Sequence, residues 1–183
     1  MTGVRDGYPF DMPPEASAAA VAEAWRRELP GVSAGSIEII TPLWQVAKLL
    51  ADERMRTLRR LRVEPATLDL LSTLRRAGQP YTLTTRQIAE RTFVTAGAVS
   101  QRVARAEDAG LVTRSKSSAS RRAVAVTLTP AGHELIESTV RELLEHEETL
   151  VAVLTRHQRA ELAGALGDLV NGLRQVTLTR PDS

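Results

Sequence analysis

The stretch from Thr84 to Thr129 constrains the fold more than any other part of this chain. Thr84 stands three residues before Gln87, the spacing at which a hydroxyl and an amide cap a helix start reciprocally. The helix so opened can turn Ile88 and Ala89 inward and leave Arg86, Glu90 and Arg91 in water. Phe93-Val94 is a short break. Thr95 then caps a second helix running to Asp108 or Ala109, and Gly110 supplies the left-handed residue that ends it. On this second helix Val99, Val103 and Ala106 share one face, while Ser100, Gln101, Arg102 and Arg105 are left towards the other. LVTRSK, a polar tip SSASRR and AVAVTLT follow, with Val124, Val126 and Leu128 alternating with smaller residues as strands do.

Helix, tight turn, helix and a basic-tipped hairpin make a winged helix-turn-helix in pattern, a unit built to enter a DNA major groove. Charge placement agrees. From Thr84 to Arg122 there are eight Arg or Lys and three acids, a local balance of +5, whereas from Pro130 onward five basic residues face nine acids, a balance of −4. Base composition explains the preference for Arg over Lys, but it does not explain the clustering. A basic middle and an acidic tail put a double-stranded DNA face on one lobe only. Arg121 and Arg122 at the wing tip are the candidates for minor-groove insertion, where narrow A·T tracts attract arginine. Thr95, Ser100, Gln101, Arg102 and Arg105 are the candidates for base edges and phosphates of the major groove.

Other function classes find little support. The 183 residues contain no run of about 18 apolar side chains, so no membrane span is expected. The N-terminus lacks a basic start followed by an apolar core, so no secretion leader is expected. Cysteine is absent, which excludes disulfides and thiol redox sensing and suits a cytoplasmic protein. No phosphate-cradling glycine motif is present and no Ser-His-Asp grouping is signalled, so the chain is read as a non-enzyme without a cofactor. His133, His146 and His157 lie among many glutamates, yet no HExxH or short ligand pair accompanies them, so no metal is assigned.

Around the winged unit, residues 1–14 are rich in Gly, Pro and Asp and read as a flexible arm. Residues 15–30 form an added amphipathic helix on which Val21, Trp25 and Leu29 recur every fourth position, stopped by Pro30-Gly31. The next helix, within 36–62, takes Thr41 as its cap and Pro42 in its first turn, although the apolar Ile37–Ile40 also suits a helix. Its Leu43, Trp44, Val46, Ala47, Leu49 and Leu50 are apolar around most of the circumference, which implies burial by a second subunit. The winged domain proper covers 63–129: Pro65 opens a helix carrying Leu68, Leu70, Leu71 and Leu74, Asp69 lies at the rim of its buried face, and Tyr81-Thr82-Leu83 is a possible third strand. Thr129-Pro130 starts a long helix with a stripe from Ile136 to Leu154. Thr155 and Gln158 open a last one carrying Leu162, Leu166, Leu169, Val170 and Leu173. Segments 36–62 and 130–178 together read as a helical dimerisation region of a homodimer. The expected fold class is therefore mainly α with a small β-hairpin.

The segments LDLLSTLRRAG, LTTRQIAE, AGAVSQRVARAEDAGLVTR and RRAVAVTLTPAGHELI, in that order, resemble the MarR family of transcriptional regulators over roughly Leu43 to Val176. The resemblance implies a triangular homodimer whose recognition helices enter successive major grooves and whose wings reach the minor groove. It also implies control by a small ligand bound between the two lobes. Within the family the chain is similar to the urate-responsive subgroup, which adds an N-terminal helix bearing a tryptophan. The positions matching that subgroup's ligand residues are Trp25, Asp69, Arg102 and Arg114. Two arginines can hold an anionic heterocycle, an acid can accept from a ring N–H, and an indole can cover the plane. A plain ion pair between Asp69 and either arginine is the competing reading. Two departures stand out: Ala119 occupies the position where the family wing carries an acid that braces its first arginine, and Gln101-Arg102 replaces the subgroup's Asn-Arg. The rival functions are a winged-helix protein-interaction module and a ligand-independent architectural DNA binder.

Overall fold

The computed structural model describes residues 17–116 and 123–179, which form two compact units dividing between Arg60 and Leu61. The wing tip with Ala119, Arg121 and Arg122, the N-terminal arm and the last four residues lie outside the described residues.

In the first unit, α1 spans Ala18–Glu28 and α2 spans Ile37–Leu61. Ser17 caps α1 by accepting from the Ala20 N–H, so the helix starts at its first good cap, three residues after Glu15. The side chain that α1 buries is Ala22, while Trp25 and Leu29 stay about half exposed. Arg26 reaches the first turn of α2 through Glu38 at 3.1 Å. Thr41 is not the cap of α2. The carbonyls of Ala34, Gly35 and Ser36 accept from the N–H groups of Ile37, Glu38 and Ile39. The first turn is thus satisfied from upstream, and Thr41 is buried inside the helix with Pro42 after it. Pro42 removes a single intrahelical bond close to the helix start, where little helix precedes it to be disrupted. Trp44, Leu49 and Leu50 are each between two-fifths and two-thirds exposed in one copy of the chain.

The second unit holds the core. α3 (Pro65–Arg76) begins with its proline at the first helical position and buries Leu68, Leu70, Leu71 and Leu74. α4 (Thr85–Thr92) carries the full capping box: Thr84 Oγ1 accepts from the Gln87 N–H, and Gln87 Oε1 accepts from the Thr84 N–H. Phe93 ends α4, and Thr95 caps α5 (Ala96–Asp108) by accepting from the Ala98 N–H. Val99, Val103 and Ala106 are the buried face of α5, and Gly110 has the left-handed φ of 73° that its place after the helix demands.

The possible third strand is present, so the hairpin belongs to a three-stranded antiparallel sheet. Strand β1 (Thr82–Thr84) lies beside β3 (Val124–Leu128), which lies beside β2 (Val112–Lys116). Leu83 pairs with Val126 and Val112 with Leu128, all four buried, which puts one apolar face of the sheet against the helices. α6 (Pro130–Val151) packs on α3 and the sheet, and α7 (Arg156–Thr179) follows a second capping box between Thr155 and Gln158. The buried positions of α6 are Gly132, Ile136, Thr139 and Leu143, whereas Leu144 is exposed. The long stripe expected from Ile136 to Leu154 is thus only half covered within one chain.

Candidate nucleic-acid interface

α5 is held from behind by its valines, so its opposite face is in solvent. Ser100, Gln101 and Arg105 are exposed there, and Thr95 stands exposed at its N-terminal end with its hydroxyl engaged as the cap. The unpaired N–H groups and partial positive charge of a helix start favour a phosphate nearby. Arg105 lies 3.8 Å from Glu64, but both side chains are about two-thirds exposed, and so loose a surface pair leaves the guanidinium available. Arg86 pairs with Glu90 at 2.8 Å on the exposed side of α4.

Arg102 is different. Its side chain is only 23% exposed and points back to Asp69 of α3, at 3.6 Å. Of the four residues expected to hold a ligand, these are the two that come together. Arg114 is bound elsewhere: its Nε–H donates to Glu107 Oε2 at 2.7 Å and its backbone N–H to Glu107 Oε1 at 3.1 Å. This two-point clasp joins the last turn of α5 to the second sheet strand across the Gly110 turn. Arg114 holds the Glu107 carboxyl below the usual carboxylate range, and Glu107 in turn raises the guanidinium. Trp25 stands about half exposed on α1 of the first unit. Sequence patterning missed Glu107 because nothing in a helical period marks a residue that reaches seven positions forward through a turn.

A groove of about 590 Å³ opens between α3 and α6, and it contains none of the four expected ligand residues. Arg75, Arg76 and Arg141 line it over an apolar floor of Ile136, Val140 and Leu144. Arg75 is committed to Glu137 at 2.7 Å and lies 4.7 Å over the ring of Tyr81, which meets His133 edge-on at 4.6 Å. This set braces the end of α3 against the first turns of α6. Among the described residues no cluster of His, Asp or Glu is placed to hold a metal ion, and no helix is long and apolar enough to cross a membrane.

A capped recognition helix with a polar outer face, set on a three-stranded sheet in a helical body, defines a winged helix-turn-helix DNA-binding protein. Residues 63–123 match the family model of the MarR family. The HTH-type transcriptional regulator PecS of Dickeya dadantii (strain 3937) is 27% identical over 147 residues, covering 80% of this chain and 89% of PecS. Among solved structures, Sco3205, a MarR family transcriptional regulator from Streptomyces coelicolor in complex with DNA, superposes with a TM-score of 0.66 at 24% identity. It covers 78% of this chain and 93% of that one. BpsR of Bordetella bronchiseptica, described in terms of the regulation of its DNA binding by 6-hydroxynicotinic acid, gives a TM-score of 0.56 at 20% identity, over 70% of this chain and 98% of its own. Residues 63–123 thus match the MarR family, and the chain is similar over most of its length to DNA-binding transcriptional regulators of that family.

Proposed function

We propose that the chain is a ligand-responsive repressor that binds a pseudo-palindromic operator as a homodimer and releases it when a small anionic aromatic ligand, urate or a related purine, binds. The observation that carries the reading is the Asp69–Arg102 pair, because it is an ion pair that ties the middle of α5 to α3. An anionic heterocycle that takes the Arg102 guanidinium from Asp69 would change how α5 is seated, and α5 is the helix that meets the groove. A tenfold loss of operator affinity requires the ligand to prefer the displaced state by about 1.4 kcal/mol, which one charge-assisted pair can supply. BpsR, whose DNA binding is regulated by 6-hydroxynicotinic acid, offers a precedent of the same chemical class. Ser100, Gln101, Arg105 and Thr95 read the major groove, and Arg121 and Arg122 contact the minor groove. Trp25 remains a ligand candidate by its residue type, and Arg114 contributes once it leaves Glu107.

Calorimetry of the full chain with urate, xanthine and salicylate tests the effector, with operator release followed by fluorescence anisotropy. Binding of urate or xanthine that weakens at least tenfold in Arg102→Ala and Asp69→Ala supports the site. Equal binding by those variants means that the ligand sits elsewhere, with the α3–α6 groove the place to look.

A further inference from the structure

The turn between α4 and α5 carries an aromatic side chain that the fold does not use. Phe93 is 96% exposed, the highest value among the large apolar side chains of the described residues. Its backbone is left-handed, with φ 54° and ψ 34°. That conformation is costly for a bulky L residue and free for glycine. Helix α4 therefore ends on a strained residue whose ring buries nothing in return. Strain of this kind persists where the side chain has work to do outside the fold.

The position says where that work is. Thr95, the cap of α5, is only two residues further on, so Phe93 stands at the end of α5 that leads into a major groove. A flat apolar ring at that point matches the one apolar feature of a major-groove edge, the C5-methyl of thymine. Arg91, exposed in the last turn of α4, is placed two residues before it to meet a phosphate.

We propose that Phe93 is a specificity-determining DNA contact, its ring packed against a thymine methyl at the edge of the major groove. The proposal rests on DNA binding by this chain, and the test separates the two.

Duplexes are first selected from a random-sequence library by the wild-type full chain. Affinity is then measured by anisotropy for wild type, Phe93→Gly and Phe93→Asn, on the selected duplex and on copies in which single thymines are replaced by uracil, which lacks only the methyl. Phe93→Gly should melt higher than wild type, because glycine relieves the left-handed backbone, and should bind the selected duplex about tenfold more weakly. Phe93→Asn, also at ease in this backbone, should show the same loss of affinity. Uracil at one position should weaken wild type several-fold and leave both variants unchanged. Wild-type affinity in both variants, or a uracil effect equal in all three proteins, overturns the proposal and leaves the ring for a partner protein. Failure of the wild type to retain any duplex at low salt overturns DNA binding itself, and this contact with it.

Discussion

Gly132 stands directly against the backbone of Leu111: a Cβ at residue 132 would lie 2.1 Å from the Leu111 carbonyl oxygen. The same junction is tied by Thr129, whose N–H donates to that carbonyl at 3.1 Å and whose hydroxyl donates to Gly110 O at 2.7 Å while also capping α6 at the Gly132 N–H. This is where α6 meets the turn that follows the recognition helix. It gives the Thr-Pro-Ala-Gly segment a physical meaning: a cap, a helix start and a residue with no side chain at the closest approach.

Gly132→Ala should therefore cost at least about 2 kcal/mol, since the opposing atom is backbone and cannot swing away. Denaturant unfolding monitored by circular dichroism measures it. A variant as stable as wild type would mean that α6 is free to shift outward.

The Glu107–Arg114 clasp sets an acid dependence. Arg114 holds the Glu107 carboxyl below its ordinary value, so the unfolded chain takes up this proton at a higher pH than the folded one. The pair's stabilising contribution is full above the ordinary carboxylate range and is lost as pH falls through the lowered folded value. Glu107→Gln should melt below wild type near neutrality and approach it in acid, flattening the fall of melting temperature between about pH 5 and pH 2. An identical pH profile in the variant would show that the clasp does not persist in solution.

DNA affinity should divide by side chain. Gln101→Ala should lower discrimination among sequences, at a cost of about 1–3 kcal/mol on the preferred site. Arg91→Ala should weaken binding to all sequences alike and reduce the slope of log affinity against log salt by about one. Titrations at several salt concentrations separate the two. A uniform, salt-linked loss for Gln101→Ala would reassign it to the phosphate backbone.

The C-terminal helix presents Leu162, Leu166, Val170 and Leu173 in one exposed apolar stripe. A stripe of that length needs cover, and a second copy of the chain supplies it in the proposed homodimer. Leu166→Asp combined with Val170→Asp should give monomers in sedimentation velocity and weaken operator binding by more than tenfold, because the two half-sites are no longer read together. A wild-type chain that sediments as a monomer would remove the basis for this assembly.

Residue spacing alone marks where the elements of this chain begin and end. Thr84 with Gln87, Thr95, Thr129 with Pro130 and Gly110 mark element ends through bonds and backbone angles made within a few residues, so spacing alone reveals them. The inward valines of α5 and the buried Val126 and Leu128 of β3 follow likewise from the periods of helix and strand, whereas the expected alternation fails at Val124, which is exposed beside a buried Ala125. Tertiary structure decided what each charged side chain meets. Arg102 turns back to Asp69 and Arg114 is claimed by Glu107, choices made between elements that no period connects. It also moved the start of α2 to Ile37, because upstream carbonyls satisfied a turn whose start the position of Pro42 had assigned to Thr41. Most of all it left Phe93 outside: spacing marks it only as a break between two helices, and its surroundings show that nothing among the described residues covers its ring.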